Sequence, residues 1–141
     1  MDLIKKKIKF YNLPIDFPYQ IGYNDNKDGD NMIREFVNMP VFERQWKAMG
    51  LNDDDLRWLQ EELLKNPKAG VIIQGTGGLR KFRIALENRG KSGGARVAYV
   101  DFLVHNTIYL IYAYSKNEKD NLTKEERNNI KKTIEHLESM L

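Results

Sequence analysis

Cysteine is absent from this 141-residue chain. Its absence excludes disulfides and thiolate chemistry and fits a reducing cytoplasm. Histidine is scarce: only His105 and His136 occur, and neither has a metal-ligand partner at i+3 or i+4. A metal centre and a Ser-His-Asp arrangement are therefore not expected, and both histidines read as surface residues. No apolar run approaches the length of a membrane span, so no membrane contact is expected. The first lysines are followed by Asn12, Pro14, Asp16 and Pro18, which interrupt any apolar stretch of a signal peptide.

Nucleotide motifs are also lacking. Gly75-Thr76-Gly77-Gly78 opens like a dinucleotide loop, but Arg80 stands at the third glycine and no helix follows. Gly90-Lys91-Ser92 resembles the end of a phosphate loop, yet Ala85 occupies the first glycine position and the segment joins two strands. These glycines read as turn chemistry. Residues 24 to 35 approach calcium-loop spacing, with Asn24, Asn26, Asp28, Gly29 and Glu35. The first ligand is Asn, Asn31 replaces a hydrophobic residue, and the preceding helix is missing, so a solvated loop is the better reading. No cofactor is expected.

What is present is one globular domain with a distinct N-terminal segment. Hydrophobic residues make up 41% of the chain and the net charge is +3, so the charge decides little unless it is clustered. Residues 1–31 carry Lys5, Lys6, Lys7 and Lys9, then aromatics, Pro14 and Pro18, and a polar run ending at Asn31. They read as an extension or linker ahead of a domain spanning 32–141, and Met32 is a candidate alternative start. Residues 33–39 predict a short strand. Pro40 suits the first turn of a helix carrying Phe42, Trp46 and Met49, closed by Gly50. Asn52 caps a second helix, Asp53 to Asp55 favour its positive end, Leu56, Leu59 and Leu63 form its buried stripe, and Pro67 ends it.

Three strands follow. Residues 80–86 alternate, with Phe82, Ile84 and Leu86 on one face and Lys81 and Arg83 on the other. Residues 95–102 and 107–114 are the next two, joined by a turn at His105-Asn106, and short connections predict an antiparallel meander. Thr123 and Glu126 form a capping box before a final helix whose stripe is Ile130, Ile134, Leu137 and Leu141. The expected class is α+β: a short N-terminal strand, a two-helix hairpin, a three-stranded antiparallel meander and a C-terminal helix.

The chemistry concentrates in residues 75–96, which hold Arg80, Lys81, Arg83, Arg89, Lys91 and Arg96 against one acid, Glu87. Lys116 and Lys119 follow the third meander strand, and Tyr112 and Tyr114 lie near them. Cations converging from adjacent strands hold phosphates, and aromatics beside them stack bases. A solvated cationic surface is the plain alternative, and from these residues alone RNA binding and that alternative stand about level.

Gly75-Thr76-Gly77-Gly78-Leu79-Arg80-Lys81, Gly90-Lys91-Ser92-Gly93-Gly94-Ala95-Arg96-Val97 and Tyr114-Ser115-Lys116-Asn117-Glu118-Lys119, with Asn66-Pro67 before them, resemble the HigB branch of the RelE/ParE toxin superfamily. The likeness runs from about Met32 to the C-terminus. It implies a RelE-like fold and a cytoplasmic toxin of a type II toxin–antitoxin pair, a ribosome-dependent mRNA endonuclease that inhibits translation. Its implied partners are mRNA on the ribosome and a HigA-like helix-turn-helix antitoxin. The implied chemistry needs no metal: a ribose 2′-hydroxyl attacks the adjacent phosphate, leaving a 2′,3′-cyclic phosphate and a 5′-hydroxyl. By position, Arg96, Lys81, Arg83 and Lys116 would be catalytic, with Arg96 stabilising the phosphorane-like charge and Lys81 a better proton acceptor than an arginine. Arg80, Lys91, Tyr114 and Lys119 would contact the substrate.

The sequence departs from the RelE pattern after the last strand. Asn117 stands at the arginine position and Leu122 at the tyrosine position, so Lys116 or Lys119 would substitute for the one and Tyr114 for the other. The rival readings are a ParE-like gyrase-inhibiting toxin and a non-catalytic RNA-binding module. The basic strand face disfavours the first.

Overall fold

The computed structural model describes residues 34–84, 94–115 and 121–141. The domain boundary near Met32, the calcium-loop positions 24–33, the loop with Lys91, and Lys116 and Lys119 lie outside them. The elements run β1 (Glu35–Asn38), α1 (Pro40–Ala48), α2 (Asp53–Lys65), β2 (Val71–Ile72), β3 (Arg80–Ile84), β4 (Ala95–Phe102), a 3-10 turn (Leu103–His105), β5 (Thr107–Ser115) and α3 (Lys124–Ser139). This is the expected α+β class.

The helices start and stop where their caps dictate. Pro40 opens α1, Phe42 and Trp46 turn inward, and Gly50 closes it with φ 78°. Asn52 and Asp55 form a reciprocal capping box on α2: the Asn52 side chain accepts from Asp55 N at 2.9 Å, and Asp55 Oδ2 accepts from Asn52 N at 2.9 Å. Leu56, Leu59 and Leu63 bury the inner face of α2, and Gln60 and Leu64 join them. Thr123 and Glu126 cap α3 in the same way. Ile134 and Leu137 are buried and Ile130 is half-buried, whereas Leu141 stays 40% exposed beyond the last turn and does not extend the stripe.

The sheet has five strands, in the order β1-β5-β4-β3-β2. The meander β3-β4-β5 is antiparallel as expected. The expected N-terminal strand is present too, and its pairing and one further short strand complete the sheet. β1 pairs with β5 in parallel, from Glu35↔Thr107 to Asn38↔Leu110, a contact across most of the domain. β2 is two residues long, too short to show an alternation, and pairs with β3 through Val71↔Lys81 and Ile72↔Arg80.

The core sits around β4 and β5. Val97, Ala98, Tyr99 and Val100 are buried in succession on β4, as are Ile108 to Ile111 on β5. A strand buried at successive residues is covered on both faces. Two side-chain hydroxyls, of Tyr99 and Thr76, fix the connections. The buried Tyr99 hydroxyl donates to Pro67 O at 2.7 Å and accepts from Gly70 N at 2.9 Å, which ties the end of α2 to the middle of β4. At the turn before β3, Thr76 is fully buried, donating to Ile73 O at 2.6 Å and accepting from Leu79 N at 3.1 Å. Gly75 and Gly77 take φ of 82° and 80° there, the left-handed backbone that glycine tolerates.

Candidate active site

Cross-strand register builds the site. Arg83 on β3 pairs with Arg96 on β4, and Arg96 pairs with Tyr114 on β5. Two residues along, Lys81 pairs with Ala98, and Ala98 with Tyr112. Side chains alternate across a sheet, so Lys81, Arg83, Arg96, Tyr112 and Tyr114 share one face, with directly opposed Cβ atoms about 4.5–5.5 Å apart. The row lies at one end of the sheet, one residue in from Ile84↔Ala95 and Ala95↔Ser115.

Exposure grades across this row. Arg83 is exposed, and Lys81, Arg96 and Tyr114 are half-buried. The Arg96 guanidinium is the distinctive group: its Nη1 is buried and has no hydrogen-bond partner among the described residues. A buried donor without an acceptor costs about 1–3 kcal/mol, a cost that an incoming acceptor removes. An anion with several oxygens, such as a phosphate, matches a guanidinium in charge and in fork geometry.

A cavity of about 440 Å³ adjoins the row. Ala98, Tyr112 and Tyr114 form its sheet wall, and Glu126, Asn129 and Ile130 of α3 face them, with Leu122 just ahead of that helix. Gln45 of α1 also reaches it, held by a hydrogen bond in which its Oε1 accepts from Ala113 N at 2.8 Å. Burial pushes the Tyr112 hydroxyl above the usual tyrosine range, and the Glu126 charge pushes it further. Sequence reasoning missed Gln45, Glu126 and Asn129 as cavity groups. Glu126 was already assigned to the helix cap, and no local pattern links α1 to the start of α3.

Of the residues expected at the site, the fold brings together Lys81, Arg83, Arg96 and Tyr114. Arg80 goes elsewhere. It falls on the alternate face, and its Nη1 donates to Gly70 O at 2.7 Å and to Lys68 O at 3.4 Å, bracing the segment before β2. The two histidines lie apart from the row: His105 Nε2 stands 3.8 Å from Glu138 Oε2, and His136 is exposed on α3. No cluster of metal-ligating side chains occurs among the described residues.

A protein-family model described as the RelE toxin of the RelE/RelB toxin–antitoxin system matches residues 35–141. The chain belongs to the RelE toxin family. As a RelE family toxin it is one half of a toxin–antitoxin pair, and the match takes in every element of the described residues from β1 to α3. Within this RelE domain the cationic row is carried by the meander strands, and no helix of the described residues is long and apolar enough to cross a membrane.

Proposed function

We propose that this toxin is a ribosome-dependent mRNA endonuclease of the HigB branch, a cytoplasmic enzyme that stops translation and is held inactive by a HigA-like helix-turn-helix antitoxin. The observation that carries the reading is the Arg83–Arg96–Tyr114 row, in which the buried Arg96 Nη1 has no hydrogen-bond partner among the described residues. The reaction is transesterification within the RNA. The 2′-oxygen bonds to the adjacent phosphorus, its proton passes to a base, and the bond from phosphorus to the 5′-oxygen breaks with a proton delivered to that oxygen. The products are a 2′,3′-cyclic phosphate and a 5′-hydroxyl.

Arg96 takes the charge that builds on the phosphorane oxygens, because a donor already desolvated loses no water at that moment. Lys81 orients the 2′-hydroxyl and takes up its proton. Arg83, the exposed member, steers the strand in, and Tyr114 stacks a base beside Arg96. Lys91, Lys116 and Lys119 complete the path, Lys116 serving the leaving group. Residues 1–31 are an extension ahead of the toxin domain at 32–141. The family match begins at residue 35, which supports a boundary close to Met32.

Parallel induction of the parent and Arg96→Ala, with mRNA ends mapped by primer extension, tests the site. Cleavage inside translated frames by the parent only is the expected result, with Arg96→Ala lowered by about a hundredfold or more, as for loss of one transition-state donor. Equal cleavage by both would remove Arg96 from the chemistry. DNA-damage induction without cleavage would instead favour gyrase poisoning.

A further inference from the structure

Three parts of the chain meet at the end of the sheet opposite the cationic row. β1 runs parallel to β5 with Glu35 beside Thr107, so the chain enters the fold where β5 begins. Glu35 N donates to Asn106 O at 2.8 Å, and Arg34 pairs with Asp101 at 2.9 Å. These two contacts fix the entry point beside the Leu103–His105 turn. The end of α3 closes on the same turn, where His105 Nε2 stands 3.8 Å from Glu138 Oε2.

The surface at this end is apolar. Of the seven large apolar side chains exposed among the described residues, four lie here: Leu103, Val104, Met140 and Leu141. Val104 is 84% exposed and Leu103 57%. Single exposed apolar side chains are ordinary, whereas a group of them is the mark of a surface that something else covers.

Residues 1–33 lead into this point, and their sequence supplies a matching face. From Leu13 to Tyr23 every odd position is apolar or aromatic: Leu13, Ile15, Phe17, Tyr19, Ile21 and Tyr23. Pro14, Asp16, Pro18, Gln20 and Gly22 alternate with them. A period of two places one set on one side of an extended chain, and proline suits extended backbone while it opposes a helix. Residues 24–33 form the tether, whose reach is at most about 36 Å. That is ample, because the tether is anchored beside the turn itself. A segment tethered in this way meets the surface at an effective concentration of about millimolar, which a second copy in dilute solution does not match.

We infer that residues 13–23 dock in extended form on the apolar end formed by Leu103, Val104, Met140 and Leu141, with their odd-numbered side chains turned onto it. The docked segment lies at the far end of the sheet from Arg83, Arg96 and Tyr114, so it covers no part of the cationic row. The inference does not depend on the RNA-cleaving reading.

The lack of cysteine allows one nitroxide label to be placed cleanly. Gln20→Cys in the full chain, on the polar side of the alternation, is labelled, and backbone amide intensities are compared by NMR with the label oxidised and reduced. The expected result is a severalfold or complete loss of the Leu103, Val104, Met140 and Leu141 signals, with those of Arg96 and Tyr114 unchanged. Val104→Asp alters an exposed side chain, spares the fold and should restore the lost signals. Phe17→Asp, within the segment, should do the same. Val71→Asp on β2, exposed elsewhere on the sheet, should leave the loss in place. Uniform or absent broadening, broadening centred on Arg96, or a loss that survives both Val104→Asp and Phe17→Asp would each overturn the docking. Equal broadening in an isotope-labelled chain mixed with a separate nitroxide-labelled chain would overturn it in favour of a second copy. Perturbation of Val104 that appears only when purified antitoxin is added would overturn it in favour of that partner.

Discussion

Arg34 and Asp101 form an ion pair of 2.9 Å between Nε and Oδ1, with side chains only 4% and 7% exposed. A second contact, Nη2 to Oδ2, measures 3.4 Å, so the carboxylate is gripped by both arms of the guanidinium. The pair links the residue just before β1 to the far end of β4 and fixes which edge of β5 receives the parallel strand. A buried charge left alone is much worse than a buried pair. Asp101→Ala is therefore expected to lower unfolding stability by about 3 kcal/mol or more in urea titration; a loss under about 1 kcal/mol would mean that the pair acts like an exposed one. No sequence pattern joins residues 67 positions apart, so this contact was illegible beforehand. The bracing role of Arg80 was hidden for a similar reason: its neighbours in sequence are cations, and only the fold places Gly70 O against its guanidinium.

The elements that were legible are those whose signals are local. Asn52 with Asp55 and Thr123 with Glu126 lie three residues apart, and both capping boxes form. The alternation of Lys81, Phe82 and Arg83 places the meander face correctly, because a strand's period is set by its own backbone. β2 was not legible because two residues show no period, and β1 was legible as a strand but its alternation does not name β5 as its parallel partner. The approach of α3 to the Gly75–Leu79 turn was also hidden. A Cβ built on Gly77 would stand 3.2 Å from Lys131 Cγ, at a φ of 80°. Gly77→Ala meets left-handed strain of about 1–2 kcal/mol, and the Lys131 side chain must also shift. A fall in thermal midpoint is expected, with backbone amides of α3 around Lys131 perturbed in NMR. A melting curve identical to that of the parent would show that the turn relaxes without cost.

For the molecule as a whole, the net charge of +3 is too small to carry the proposed RNA binding; on that reading placement does so. The sheet is covered on both faces along β4 and β5, which leaves the end bearing Arg83, Arg96 and Tyr114 as the part of the meander where cations and an aromatic meet at the surface. Opposed strands hold these side chains, so they converge without needing a loop to order them. If Lys81, Arg83 and Arg96 each neutralise a phosphate, the affinity for single-stranded RNA should fall with salt with a log–log slope of about −2, at roughly −0.7 per contact. Arg96→Ala should flatten that slope by about one contact's share, and Lys65→Ala, a change at an exposed cation on α2, should leave it unaltered. A cationic surface that merely solvates the fold would give the same slope for both variants, because each loses one charge. The comparison thus separates an RNA path built by strand register from a general excess of positive charge.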